Sequence, residues 1–149
     1  MDIKSKEERS KNMAAIRSKN TKPEIYFRKL IFAQGYRYSV NSKTVPGHPD
    51  IYLRKYNTVI FIHGCFWHRH YGCQYAYMPK SRVEFWRKKF EANVKRDSAV
   101  RMELQEEGIK CLIVWECTVK KMMRNRELCE TYLKTVQSFL KNSNLFLEI

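Results

Sequence analysis

The chain has 149 residues, 29 of them Lys or Arg against 15 Asp or Glu, for a formal charge of +14 at pH 7. That length suits one domain, and 44% hydrophobic with 13% aromatic residues supply a core, which excludes a wholly disordered basic polypeptide. Apolar runs such as residues 59–62 fall far short of the roughly 18–20 residues of a membrane span, and the N-terminus (MDIKSKEERSK) has no apolar signal core, so a soluble, cytoplasmic protein without a membrane partner is expected.

Such an excess of positive charge opposes compaction unless a polyanion meets it, which makes nucleic acid the leading partner. The five cysteines form an odd set in a chain with no secretion signal. A disulfide framework is not expected; clustered Cys near His points instead to a metal.

Residues 1–22 carry seven basic side chains and few apolar ones, and are expected to form an arm that orders on its partner. A helix follows, with Thr21 as N-cap, Pro23 in the first turn, Glu24 completing a capping box, and Gly35 as the stop. Residues 36–40 read as a strand, 45–49 (VPGHP) as a turn, and 50–53 as a second strand that Asp50 enters from the loop. Residues 58–63 (TVIFIH) have the β-branched continuity of a strand buried on both faces. Residues 81–107 form a long amphipathic helix with Trp86, Phe90 and Val94 in one stripe; 109–115 (IKCLIVW) are another buried strand. Leu128, Tyr132, Val136, Phe139 and Leu140 mark a last helix. The order predicts an α/β architecture with a mixed central sheet flanked by helices.

Three constellations bear chemistry. Cys65, His70 and Cys73 are spaced C-x4-H-x2-C, short enough for one loop to wrap a tetrahedral Zn²⁺, with Cys117 at the end of a neighbouring strand as a fourth ligand. Spacing alone does not choose between His68 and His70. Cys111 and Cys129 read as small buried apolar residues.

Asp50 at a strand entrance suits the single hard oxygen ligand that Mg²⁺ takes, although an acid there also serves as an ordinary turn residue. His63 and His68 add two imidazoles able to move protons near neutrality, and Glu24 is either a capping residue, a site residue, or both. Finally, Phe66, Trp67, Arg69, Tyr71, Tyr75, Tyr77, Lys80 and Arg82 interleave rings and cations. Phe66 and Trp67 either wedge into a base stack or pack in the core, and Arg87, Lys88, Lys89, Lys95 and Arg96 offer phosphate contacts.

Residues 9–13 (RSKNM), 21–24 (TKPE), 46–50 (PGHPD), 59–68 (VIFIHGCFWH) and 114–117 (VWEC) together resemble the very short patch repair (Vsr) DNA mismatch endonucleases, over about residues 9–140. The resemblance implies a restriction-endonuclease-like core and an enzyme that nicks one strand 5′ to the thymine of a T:G mismatch left by deamination of 5-methylcytosine. By position it implies Mg²⁺ on Asp50 and the backbone carbonyl of Ile62, with His68 acting on the attacking water. His63 and Glu24 would hold metal-bound waters and the arm. Zn²⁺ would sit on Cys65, His70, Cys73 and Cys117, and Met13, Phe66 and Trp67 would form the wedge. A monomer is expected, with a functional link to a cytosine-5 DNA methyltransferase.

Two departures stand out. Ile62 replaces a Thr found in the family, and Tyr71-Gly72 lengthens the zinc loop by one residue. The Asp/Glu-x-Lys that follows the metal aspartate in restriction-type nucleases is also absent, His68 standing in for the Lys. The organisation expected is a basic arm over 1–22 and one endonuclease domain over 23–149. The alternatives are a noncatalytic zinc module that binds mismatched or damaged DNA, and a restriction-type endonuclease that cuts both strands.

Overall fold

The computed structural model of the chain describes residues 20–149; the arm over 1–19, Met13 included, lies outside the described residues. Helix α1 (Lys22–Ala33) starts at Thr21, whose Oγ1 accepts the Glu24 N–H at 3.4 Å, with Pro23 in the first turn. The capping box closes one residue further out than expected: the Glu24 carboxylate accepts the N–H of Asn20, at 2.7 Å, rather than that of the cap. Past the helix, Gly35 takes the left-handed conformation at φ +94°, which a residue with a Cβ adopts only with strain.

The strand expected over 36–40 does not form. A single bridge joins Ser39 to Tyr52 through two backbone hydrogen bonds of 3.0 and 2.9 Å. Left-handed Asn41, at φ 48°, turns the chain before a second pair can add.

Strand β1 (Ile51–Leu53) runs through a 3-10 turn (Arg54–Tyr56) and left-handed Asn57 into β2 (Thr58–His63), with which it pairs antiparallel. Helix α2 (Val83–Glu106) then crosses to β3 (Lys110–Trp115), parallel to β2. A helix that the sequence reading did not include, α3 (Glu116–Arg124), and the one marked by the last apolar stripe, α4 (Arg126–Lys141), lead to β4 (Phe146–Glu148), parallel to β3. The result is a mixed four-stranded sheet in the order β1-β2-β3-β4.

Strand alternation then divides the core. Ile60, Ile62, Leu112 and Val114 join Phe27 and Ile31 of α1, Val119 and Met122 of α3 and Val136 and Phe139 of α4 in the larger cluster. Val59 and Cys111 face the other way, onto Leu104 of α2. Each large side chain fully buried there contributes about 1.5–3 kcal/mol.

In α2 the buried residues are Phe90 and Leu104, while Val94 of the expected stripe is exposed: the long helix is mostly a solvated, charged rod. In α4 the inward face is Cys129, Leu133, Val136, Phe139 and Leu140, which leaves Leu128 and Tyr132 at the rim. Cys111 and Cys129 are buried, as expected. Lys110 is buried too, its Nζ donating to the carbonyls of Phe139 and Asn142 at the end of α4. No described helix is long and apolar enough to cross a membrane.

Candidate active site and metal centre

Because Ile62 points into the larger core, its neighbour His63 at the end of β2 projects to the α2 side of the sheet. It is 7% exposed, and burial, followed by the charge of nearby His68, pulls its pKa down to about 3. His63 is therefore a neutral imidazole at physiological pH. The chain turns at Gly64, His68 N–H donating to the Gly64 carbonyl at 3.0 Å, and this lays the His68 ring flat on His63 with centroids 3.8 Å apart. His68 Nδ1 is 2.6 Å from Oδ2 of Asp97, which α2 supplies. With Nδ1 so engaged, Nε2 is the ring nitrogen left for other chemistry.

Asp50, at the entrance to the neighbouring strand, comes within electrostatic reach of His68. The β1–β2 ladder ends at Ile51 opposite Ile60, and the next N–H along that edge, that of Ile62, donates to Oδ2 of Asp50 at 2.6 Å. Burial pushes the Asp50 carboxyl up to about 6; the Ile62 hydrogen bond opposes this, nearby Glu24 adds to it, and Arg28 and His68 counter it. Glu24, 4% exposed, accepts Arg28 Nη2 at 3.5 Å as well as the Asn20 N–H. The structure thus brings Asp50, Glu24, His63 and His68 together from α1, the entrance to β1, the end of β2 and the turn after it. Two carboxylates beside a stacked pair of imidazoles can bind a hard cation and move protons.

A second cluster lies on the other side of Trp115. Ligand atoms of Cys65, His70, Cys73 and Cys117 all fall within 4.8 Å of one another. His70 Nδ1 is 3.6 Å from Cys65 Sγ and 3.5 Å from Cys117 Sγ. A tetrahedral ion with metal–sulfur bonds near 2.3 Å and metal–nitrogen bonds near 2.0–2.1 Å has an S···N edge of ~3.6 Å, so the donors fit such an ion. Between the two histidines that spacing left open, His70 stands at the thiols and His68 at Asp97. The Cys117 N–H points at Cys65 Sγ, 3.4 Å away. Burial pushes the Cys65 thiol up to about 12, and a bound cation would reverse that shift by taking the thiolate.

Trp115 divides the two clusters: His70 stacks on it at 4.2 Å and His63 meets it nearly edge-on at 5.4 Å. Its Nε1 donates to Glu148 of β4 at 2.6 Å.

Phe66 packs on Trp67, Tyr77, Trp86 and Phe90 with centroids 5.1–5.5 Å apart, and Trp67 leans on Trp86. Both rings remain half-buried. Arg69 is committed to the loop, donating to the carbonyls of Phe66, Ala76 and Tyr77 and covering the Phe90 ring at 3.9 Å.

Sequence reading passed over Arg28, Asp97 and Trp115. Arg28 had a signal, as a base four residues after Glu24 beside Phe27 and Ile31. Asp97 had one too, as the sole acid among residues 92–102.

Comparison with known proteins supplies a lineage. The family model described as DNA mismatch endonuclease Vsr matches residues 1–74. The chain is 43% identical over 142 residues to the Type II nicking enzyme V.NmeAIP of Neisseria meningitidis serogroup A, covering 95% of this chain and 98% of that protein. It is 42% identical over 121 residues to the Type II nicking enzyme V.XorIIP of Xanthomonas oryzae pv. oryzae, covering 81% and 88%. To the DNA mismatch endonuclease Vsr of Escherichia coli K12 it is 43% identical over 119 residues, covering 80% and 76%. The chain belongs to the Vsr family of endodeoxyribonucleases, enzymes that act on DNA.

Proposed function

We propose that this endonuclease nicks one strand 5′ to the thymine of a T:G mismatch, using Mg²⁺ at Asp50 and Zn²⁺ at the Cys/His cluster, on a restriction-endonuclease-like core. The observation that carries the reading is the gathering of Asp50 and the stacked His63–His68 pair around the ends of β1 and β2, with Glu24 brought up by α1, next to the Phe66-Trp67 loop. Mg²⁺ on Asp50 and the Ile62 carbonyl would offset charge at the scissile phosphate.

The remaining work falls to side chains. Asp97 holds Nδ1 of His68, so that Nε2 takes the proton of the attacking water. His63, kept neutral by burial, supports the His68 ring and, with Glu24, holds water and the arm beside the cut. Asp50 must be ionised to accept a cation, so nicking requires more Mg²⁺ as pH falls below about 6.

Cys65, His70, Cys73 and Cys117 would hold Zn²⁺ as a closed structural site that stiffens the loop presenting Phe66 and Trp67. These two rings would exchange packing on α2 for a base step, where Met13 would join them and a mismatch lowers the cost of unstacking. Arg87, Lys88, Lys89, Lys95, Arg96 and the basic arm over 1–22 would meet the phosphates. In this reading the protein works as a cytoplasmic monomer downstream of a cytosine-5 DNA methyltransferase.

The test is a strand-labelled T:G duplex with Mg²⁺, a matched duplex as control, and Asp50→Ala alongside. One nick 5′ to the thymine with a 5′-phosphate is expected, reduced by on the order of 10²–10³-fold in the variant. Equal cutting by both proteins would remove Asp50 from the mechanism. Cleavage of both strands of the matched duplex would replace this reading with a restriction-type one.

A further inference from the structure

We propose that Arg28 is a positioning residue of the nicking site, tying Glu24 on α1 to the entrance of β1 at Asp50 through one buried guanidinium. The proposal rests on the reading of Glu24 and Asp50 as site carboxylates and adds a residue to it.

Arg28 is 8% exposed, one helical turn beyond Glu24 and on the same face of α1. Its Nη2 donates to two elements at once, to Glu24 Oε2 at 3.5 Å and to the Asp50 backbone carbonyl at 3.4 Å. Nη1 donates to Asn20 Oδ1 at 2.8 Å, the residue whose own N–H meets Glu24. The Tyr38 hydroxyl, donating to the Arg28 carbonyl at 3.0 Å, secures the helix at that point.

A surface pair at this spacing would stabilise a helix modestly and would not need burial. Burying an arginine is costly unless its donors are matched, and here Nε is buried with no hydrogen-bond partner among the described residues. The guanidinium is therefore spent at its far end, on the site, at the expense of its own satisfaction. Glu24 and Asp50 oppose each other electrostatically, and Arg28 is the cation hydrogen-bonded to both residues. The planar fork matters as well as the charge. An ammonium is a single point and would not span Asn20, Glu24 and the Asp50 carbonyl together.

The experiment is a double-mutant cycle on the full chain: wild type, Arg28→Met, Glu24→Gln, the pair combined, and Arg28→Lys. Single-turnover nicking is measured at saturating protein and Mg²⁺ on whichever duplex the wild type nicks, with duplex affinity and thermal midpoint taken separately. Arg28→Met is expected to slow nicking by about 10-fold or more while affinity shifts by less than about 2-fold, and Arg28→Lys to recover part of the rate. The combined variant should be no slower than Glu24→Gln within about 2-fold, because the two residues act as one unit.

Wild-type nicking by Arg28→Met, or a combined loss equal to the product of the single losses, would overturn the proposal. A purely structural role would lower the thermal midpoint and leave the cycle additive. Should Arg28→Met fail to fold, Arg28→Lys decides: an unchanged rate would overturn the proposal. If Glu24→Gln nicks like wild type, the reading of the site itself fails; if Glu24→Gln is impaired and Arg28→Met is not, only the role of Arg28 fails.

Discussion

The Cys/His cluster and the Asp50 cluster lie on either side of Trp115 and are assembled in opposite ways. Three donors of the first, Cys65, His70 and Cys73, come from one loop, and only Cys117 crosses from β3 into α3. The second draws on α1, the entrance to β1, the end of β2 and, through Asp97, the middle of α2. A set of thiols and one imidazole suits an ion that replaces weak packing in a loop. A buried carboxylate with a raised pKa beside a second acid costs stability instead, and is kept for what it does.

Variants on the two sides should therefore move different observables. The largest effect on stability is expected at the loop: Cys117→Ala, or a chelator strong enough to strip the site, should lower the thermal midpoint steeply, because free energy of structural metal binding is free energy of folding. Metal analysis should show about one Zn per folded chain, and a metal-free protein that melts like the native one would refute the bracing role.

On the other side, Asp97→Asn should slow nicking about 10–100-fold with little change in melting, since the group acts by orienting His68. A wild-type rate in that variant would make the His68–Asp97 pair structural.

Asp50→Asn should separate the two observables further. With a folded-state pKa near 6 against an ordinary 3.8, the folded chain binds the extra proton, so stability falls as pH rises between those values. Above about pH 6 the ionised carboxylate costs at most about 3 kcal/mol. In Mg²⁺-free buffer the Asn variant should thus melt above the wild type at pH 7 and equal to it below about pH 4, while nicking is lost. A variant less stable at every pH would contradict this sign.

The smallest effect is expected at the partition: Glu148→Ala removes one hydrogen bond to Trp115, about 1–2 kcal/mol by denaturant titration.

Much of this arrangement can be read in the sequence wherever the signal is local. Residues 58–63 and 109–115 are β-branched runs between turn residues, and they fold as the adjacent central strands β2 and β3. The thiol loop is legible because its donors are close in the chain.

What escaped was set by distance or by missing punctuation. α3 begins directly from β3 at Trp115 with no side-chain cap, so nothing announces it. β4 spans three residues and owes its pairing to β3. The 36–40 segment has strand-forming residues but only the Ser39 bridge at a sheet edge. The local signals at Asp97 and Arg28 name no partner, and acquire one only when the fold puts His68 and the Asp50 carbonyl within reach. Spacing alone left His68 and His70 open at the thiols; the family resemblance named His70, and His70 is the imidazole that stands there.

The indole of Trp115, flanked by a thiol-side imidazole and a carboxylate-side one, also gives the molecule an internal optical gauge. In a background where Trp67 and Trp86 are replaced by Phe, its emission would respond to occupancy of the thiol flank. A single fluorophore would then follow metal loading without any attached label.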